Sequence, residues 1–333
     1  MEQIEGVMAD VRSFFKSRVI LSAVELDLFT YLRGKPSTAS ELASELGLDR
    51  RAATRALDCL VTWGLLAKTG AEGPYSVTPT GERLAADHPE TVAPVVLHYI
   101  RLWETWSSMT EVIRRGPIPE TRPVVQASEK GREAFIGAMH VIGKGLSVEV
   151  AKDCDLRRFN RLLDIGGGSG TYTIAFLREN PNMTAVLFDL EEVIPLARKR
   201  FTEEGLMERI AFAAGDFERD ELPSGCDVAL LSAIIHQNSP EENRELYAKA
   251  YRALEPGGAL IIRDHIMDEA RTSPPDGALF ALNMLVNTKG GDTYTFDETR
   301  ELLEAVGFTE IQLIRRGERM DCLVEARKPG GKR

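Results

Sequence analysis

The residues best suited to chemistry are three aspartates and one histidine, all placed around a glycine turn. The segment Arg161-Leu-Leu-Asp-Ile-Gly-Gly-Gly-Ser-Gly-Thr171 runs from an apolar stretch into Gly166, Gly167, Gly168 and Gly170, and a helix-like stretch, Tyr172 to Arg178, follows. Glycine there supplies positive φ and lets backbone N–H groups approach a ligand with no Cβ in the way. The helix N-terminus after it favours a negatively charged ligand group. Asp164 lies inside this segment. Asp189 ends the next apolar run, Val186-Leu-Phe-Asp-Leu190, 25 residues after Asp164, and Asp216 follows the run after that, in Ala214-Gly-Asp-Phe217. An acid ending the second strand of such a unit is placed to accept hydrogen bonds from ribose hydroxyls. Three acids at corresponding strand ends imply a nucleoside ligand. The glycine spacing is Gly-x-Gly-x-Gly, with Thr171 where a dinucleotide fingerprint has its third glycine, so nothing demands a pyrophosphate and an NAD-dependent oxidoreductase is disfavoured. His236 stands past a fourth apolar run, Leu230-Leu-Ser-Ala-Ile-Ile-His-Gln237. An imidazole there can take a proton from a ligand in the same crevice; the plainer reading is a hydrogen-bonded loop histidine.

The elements that must hold these residues follow from periodicity. Short apolar runs at 162–165, 185–188, 210–213, 228–232, 259–263, 311–315 and 322–325 alternate, in their earlier part, with helical stretches. This is a βαβ series and predicts a mostly parallel sheet with helices on both faces, an α/β fold. The last two strands are joined by Gly317-Glu-Arg-Met320, too short for a parallel crossover, so they are expected to be antiparallel.

Upstream the pattern is helical. Residues 5–33 carry apolar residues nearly all round, which fits an ordinary core helix and equally one buried against a second subunit. Thr38-Ala-Ser-Glu41 offers a capping box for a helix over 39–46 that ends at Gly47. A second helix starts near Asp49, and two short strands over 64–70 and 75–78 follow. Helix, turn, helix and hairpin make a winged-helix pattern, with Arg50, Arg51 and Arg55 opening the candidate recognition helix. Residues 80–155 read as helices with breaks at Gly116-Pro-Ile-Pro119 and Arg122-Pro123. The aromatic and methionine residues of this segment suit either core or a ligand pocket.

Composition narrows the classes. The chain has 333 residues, enough for about two domains. A net charge of −10 argues against a general nucleic-acid binder, since phosphate contacts need clustered Lys and Arg. Cys59, Cys154, Cys226 and Cys322 are far apart and read as unpaired thiols of a reducing cytoplasm, with no metal site expected. No run approaches the roughly 18 apolar residues of a membrane span, and the acidic N-terminus lacks a signal pattern.

Leu-Asp-Ile-Gly-Gly-Gly-Ser-Gly, Phe-Asp-Leu, Gly-Asp-Phe and Pro256-Gly257-Gly258 before a strand resemble S-adenosyl-L-methionine-dependent small-molecule O-methyltransferases. The group includes plant phenylpropanoid and flavonoid enzymes, acetylserotonin methyltransferase and bacterial enzymes of secondary metabolism. The resemblance covers almost the whole chain. It implies a class I methyltransferase Rossmann-like sheet over 156–333, a winged-helix homodimerisation domain over 1–90, and a helical linker over 91–155 that contributes to the substrate pocket. It implies that Gly166 and Gly168 line the methionine moiety, that Asp189 binds ribose and that Asp216 with Phe217 flanks adenine. Asp164, Leu190 and Ser232 complete the implied cofactor set, with S-adenosyl-L-homocysteine as product. His236 matches the general base. The resembled enzymes carry Asp where this chain has Gln237, and hold the base with two acids. Here Asp264 stands for one, and Thr293 occupies the other position, with Asp292 beside it. Met139, His140, Asn283 and Met284 match substrate-facing positions.

The implied reaction is an in-line displacement, accelerated chiefly by holding donor and acceptor in place. A phenol near pKa 10 and a histidine near 6.5 differ by about 3.5 units, roughly 5 kcal/mol for complete prior proton transfer, so transfer coupled to attack is the economical route. A poorly held His236 would slow turnover without abolishing binding. Two other readings remain at this point: carbon or nitrogen methylation or another S-adenosyl-L-methionine chemistry on the same fold, and a ligand-sensing winged-helix regulator.

Overall fold

The computed structural model describes residues 2–117 and 129–331. The second expected break, at Arg122-Pro123, lies outside the described residues, as do the last residues of the first. The chain divides into two compact units, Met1–Glu104 and Thr105–Arg333.

The first unit opens with α1 (Glu2–Glu25) and α2 (Leu28–Gly34). The continuous apolar pattern of residues 5–33 is broken at Asp27, whose φ of 56° is left-handed. α3 (Ala39–Leu46) begins with the expected capping box: the Glu41 N–H donates to Thr38 Oγ1 at 3.3 Å and the Thr38 N–H to Glu41 Oε2 at 2.8 Å. Such reciprocal bonds satisfy two otherwise orphaned donors. α4 (Arg50–Thr62) is capped by Asp49, and β1 (Leu66–Lys68) pairs antiparallel with β2 (Tyr75–Val77). The helix, turn, helix and hairpin order is thus present. α5 (Pro79–Glu82) follows, and α6 (Ala93–Trp106) runs across the division between the units. Phe29, Leu32, Leu42, Leu57, Leu60, Leu66 and Tyr75 form the core of this unit. Along α1, by contrast, Ile4, Val7, Met8, Val11, Phe14 and Phe15 are exposed.

The second unit begins with α7 (Met109–Arg115) and α8 (Glu129–Asp153). Then come β3 (Arg161–Ile165), α9 (Thr171–Glu179), β4 (Thr184–Asp189), α10 (Ile194–Glu203), β5 (Ile210–Ala214), β6 (Cys226–Ser232), α11 (Pro240–Ala253) and β7 (Leu254–Asp264). The chain finishes with β8 (Ile266–Met267), α12 (Pro275–Asn287), β9 (Tyr294–Thr295), α13 (Phe296–Val306), β10 (Thr309–Arg315) and β11 (Cys322–Arg327). All seven strands read from periodicity lie in one sheet, in the order β10-β11-β7-β6-β3-β4-β5. The pairs β7/β6, β6/β3, β3/β4 and β4/β5 are parallel, while β11 pairs antiparallel with both β7 and β10.

The sheet is buried on both faces, as parallel sheets must be. Along β3, Leu163 and Ile165 belong to the layer that contains Leu246 and Tyr247 of α11, and Leu162 to the layer that contains Phe176 and Leu177 of α9. Alternate residues of a strand face opposite sides, which divides them this way. α8 is long and apolar enough to cross a membrane by length and composition alone. Its Leu146, Val150 and Ala151 are nevertheless buried with α9 residues, as in the core helix of a globular layer.

Chain order places the site. From β3 the chain steps outward to β4 and β5, then returns to β6 on the other side of β3. Ligands of open α/β sheets bind beyond the strand ends at such a switch. The glycine turn leaves β3 there, and the His236 segment leaves β6.

Candidate active site

The glycine turn is anchored to its neighbour strand and folded on itself. The Gly166 N–H donates to the Phe188 carbonyl at 2.8 Å, and the Gly170 N–H to the Gly167 carbonyl at 2.8 Å. Gly168 has φ of 57°, and a Cβ built on it would meet only Ile136 Cδ1, at 3.7 Å. This is the open side of the turn, where a ligand can lie against backbone. Gly170 is different: at φ of 80°, a Cβ would come within 2.3 Å of Phe201 Cε2, so glycine there lets α9 and α10 pack closely.

Asp189 ties the turn to the end of β4. Its Oδ2 accepts from the Gly168 N–H and its Oδ1 from the Leu190 N–H, each at 2.7 Å. Burial pushes its pKa up to about 6, against the lowering effect of those two donors. Asp164 lies beneath, fully buried and bonded by the Thr173 hydroxyl. Burial pushes it up to about 7, with Asp189 adding to the rise. Asp164 therefore clamps the first turn of α9 to β3, while Asp189 keeps lone pairs at the strand end. Asp216 accepts from the Glu218 N–H at 2.9 Å, with its side chain partly exposed. The neighbouring Phe217 ring would lie 3.4 Å from a Cβ on Gly166, so it borders the turn. Ser232 Oγ accepts from Arg263 Nε at 2.9 Å.

His236 sits on a short 3-10 turn, Ile235–Gln237, and its Nδ1 lies 2.9 Å from both carboxylate oxygens of Asp264. The histidine side chain is 12% exposed and the aspartate 1%. Burial alone would raise Asp264, but the facing His236 and Arg263 and the His265 N–H outweigh it and hold the carboxyl below its usual range. An ionised carboxylate only accepts, so it selects the tautomer with the proton on Nδ1 and leaves a lone pair on Nε2. Nε2 has no hydrogen-bond partner among the described residues.

The second acidic position does not support the histidine. Thr293 is buried, and its carbonyl accepts from Arg271 Nη1 at 2.6 Å. Asp292 turns toward Arg271, 3.5 Å away, and accepts from the Thr293 N–H at 2.7 Å. Gln237 is exposed.

The four residues matched to substrate positions are spread over α8 and α12. Met139 is partly buried. His140 is engaged at both ring nitrogens, with Nδ1 2.9 Å from Thr171 Oγ1 and Nε2 2.8 Å from Arg200 Nη1. Burial, with Arg200 beside it, pushes its pKa down to about 4. Asn283 accepts from the Trp106 Nε1–H at 2.8 Å, and Met284 is buried.

Several supports escape a reading of the sequence. Asn243 donates to the Ile235 carbonyl at 2.8 Å, and the Tyr294 hydroxyl donates to the Asn238 carbonyl, so buried polar groups brace the His236 turn from both ends. A Cβ on Gly291 would stand 2.4 Å from the His236 carbonyl oxygen. The Phe280 ring stands nearly perpendicular to that of His236, at 4.8 Å between centroids. The available signal was spacing: Phe280 lies four residues before Met284, one turn away on the same helix face.

A seven-stranded sheet with an antiparallel last strand, a glycine turn at its switch point and an acid ending the next strand is the class I methyltransferase architecture. Residues 123–309 match the O-methyltransferase domain, and residues 10–87 match the O-methyltransferase dimerisation domain. The tetracenomycin polyketide synthesis 8-O-methyl transferase TcmO of Streptomyces glaucescens is 33% identical over 90% of each chain. Acetylserotonin O-methyltransferase of Gallus gallus is 30% identical over 93% of this chain and 94% of its own. The crystal structure of human N-acetylserotonin methyltransferase with S-adenosyl-L-methionine superposes with a TM-score of 0.84 at 24% identity, over 99% of this chain and 98% of that one. The chain belongs to the O-methyltransferase family. It is an enzyme of that family, and its methyl donor is S-adenosyl-L-methionine.

Proposed function

We propose that this enzyme methylates a hydroxyl of a small aromatic or polycyclic molecule, with His236 as general base. The observation that carries the reading is the 2.9 Å contact of His236 Nδ1 with buried Asp264, which leaves Nε2 free beside the switch-point crevice. The names of the relatives support oxygen as the methylated atom, since one is an 8-O-methyl transferase of tetracenomycin polyketide synthesis and the other an acetylserotonin O-methyltransferase.

The bound donor supplies an electrophilic methyl group on a sulfonium sulfur. The turn fits such a ligand: the open face at Gly168 would take its methionine end against backbone, with Gly166 at the start of the same turn. Asp189 is placed to accept from the ribose hydroxyls. Asp216, Phe217 and Leu190 would border the adenine side and Ser232 the β6 side, while Asp164 ties α9 to β3 through Thr173. At the acceptor, His236 Nε2 takes the hydroxyl proton as the oxygen attacks, and Asp264 stabilises the imidazolium that results. Met139, Asn283 and Met284 offer the surface for the aromatic body. His140, already bonded at both nitrogens, contributes by holding α8 to the turn.

A panel of hydroxynaphthalenes, hydroxyanthraquinones, catechols and N-acetylserotonin, assayed for S-adenosyl-L-homocysteine release with mass spectrometry of the product, tests this. Oxygen methylation of at least one fused-ring phenol is expected. A new methyl found on nitrogen or carbon instead would replace the reading with the alternative chemistry.

The enzyme is further proposed to be a homodimer through the first unit, in keeping with its dimerisation domain. The exposed stripe Ile4, Val7, Val11 and Phe14, with Met8 and Phe15 beside it, repeats at three- and four-residue intervals along α1. Such a contiguous apolar face marks an association surface. V11D/F14D should shift the mass measured by light scattering from dimer to monomer while leaving the melting of the second unit unchanged. A wild-type monomer at micromolar concentration would contradict the proposal.

A further inference from the structure

We propose that Phe280 is the second support of the His236 imidazole, acting where a carboxylate at position 293 would act in the resembled enzymes. This rests on His236 being the base. Asp264 meets the ring at Nδ1 alone, with both oxygens at 2.9 Å, so the ring can swivel about that contact and swing Nε2 off the acceptor. A second constraint is needed, and neither residue at the second position provides it: Asp292 faces Arg271, and Thr293, which has no carboxylate, is held through its carbonyl.

Phe280 provides it by shape. Its ring is 4.8 Å from that of His236 and inclined at 88°, the edge-to-face arrangement that aromatic pairs favour. It also lies 5.4 Å from the ring of His265, a residue whose backbone N–H donates to Asp264 Oδ1 at 2.8 Å. Phe280 therefore packs against the rings of both His236 and His265.

The helix that presents it is fixed. Asn283 is bonded to Trp106, Met284 is buried, and the Thr288 hydroxyl donates to the Met284 carbonyl at 2.7 Å. The Gly291 N–H then donates to Thr288 Oγ1 at 2.9 Å, which brings the chain back against the His236 carbonyl. A positioning side chain on a rigid element can hold a catalytic ring more precisely than one on a loop.

The test is a double-mutant cycle on the full chain, with the fused-ring phenol of highest turnover as acceptor. F280L should lower kcat roughly five- to tenfold, the scale of one aromatic pair. The Kd for S-adenosyl-L-methionine should not change and the acceptor KM should stay within about twofold. F280Y should restore kcat, and in the H236A background F280L should have no further effect. If F280L does not fold, F280M takes its place in the same cycle. A loss that persists undiminished in H236A, or one confined to the acceptor KM, would make Phe280 a wall of the acceptor site and overturn the inference while leaving His236 as base. An unchanged kcat in H236A would instead remove the base, and this inference with it.

Discussion

H236A should lose about 10²- to 10⁴-fold in kcat, the usual contribution of a positioned general base, while binding S-adenosyl-L-methionine as the wild type does. The split follows from geometry. His236 stands past β6 and is bonded to Asp264, whereas the turn and Asp189 stand at β3 and β4 and share no hydrogen bond with it. Removing the imidazole would leave the donor side intact and, with His236 as the proposed base, deprive the acceptor proton of its destination. Calorimetric titration with S-adenosyl-L-homocysteine and single-turnover kinetics measure the two halves separately. Raising the pH toward the acceptor's own pKa, near 10 for a phenol, should return part of the lost rate, because an ionised phenol needs no base. Equal losses at pH 7 and pH 10 would point to a structural role for the ring.

What the sequence makes legible is local. The seven strands announce themselves by apolar runs bounded by turn residues. The capping box at Thr38 and the glycines of the turn act within a few residues, so their structural consequence travels with their spacing. Asp189 is likewise readable, since an acid ending the second strand has one crevice to face. The bracing of His236 is not legible in this way. Tyr294 reaches Asn238 across 56 residues, and Asp264 reaches His236 across 28. Neither contact leaves a periodic trace. The direction of a side chain is equally hidden: His140 follows Met139 on α8, but only the fold shows it turned to Thr171 and Arg200. Asp27 is a further case, because the apolar pattern runs across it without interruption while its left-handed φ divides α1 from α2.

D189A should weaken S-adenosyl-L-methionine binding by about 10²-fold or more. Hydrogen bonds to a charged acceptor contribute roughly 1.5–3 kcal/mol each, and the proposed ribose contact would bring two hydroxyls to one carboxylate. Part of the loss comes before any ligand arrives, because the Gly168 and Leu190 N–H groups lose their acceptor and the turn its tie to β4. D189N separates the contributions. It keeps an acceptor oxygen for one N–H group but has no charge, so it should preserve more of the fold than D189A while binding the ligand almost as poorly. The pH dependence supplies an independent check. Burial raises Asp189 from 3.8 to about 6, so between those values the folded protein without ligand holds more protons than the unfolded chain. Its contribution to stability is therefore greatest at the acid end of that window and falls as pH rises toward 6. Ligand affinity should run the opposite way, since the proposed ribose contact would use the ionised form, and it should drop as pH falls below about 6. D189N should flatten both slopes. Thermal melts and calorimetric titrations from about pH 4 to about pH 8 read them directly, and a D189N affinity profile that still fell with acid would assign the titration to another group, with the buried Asp164 the first to examine.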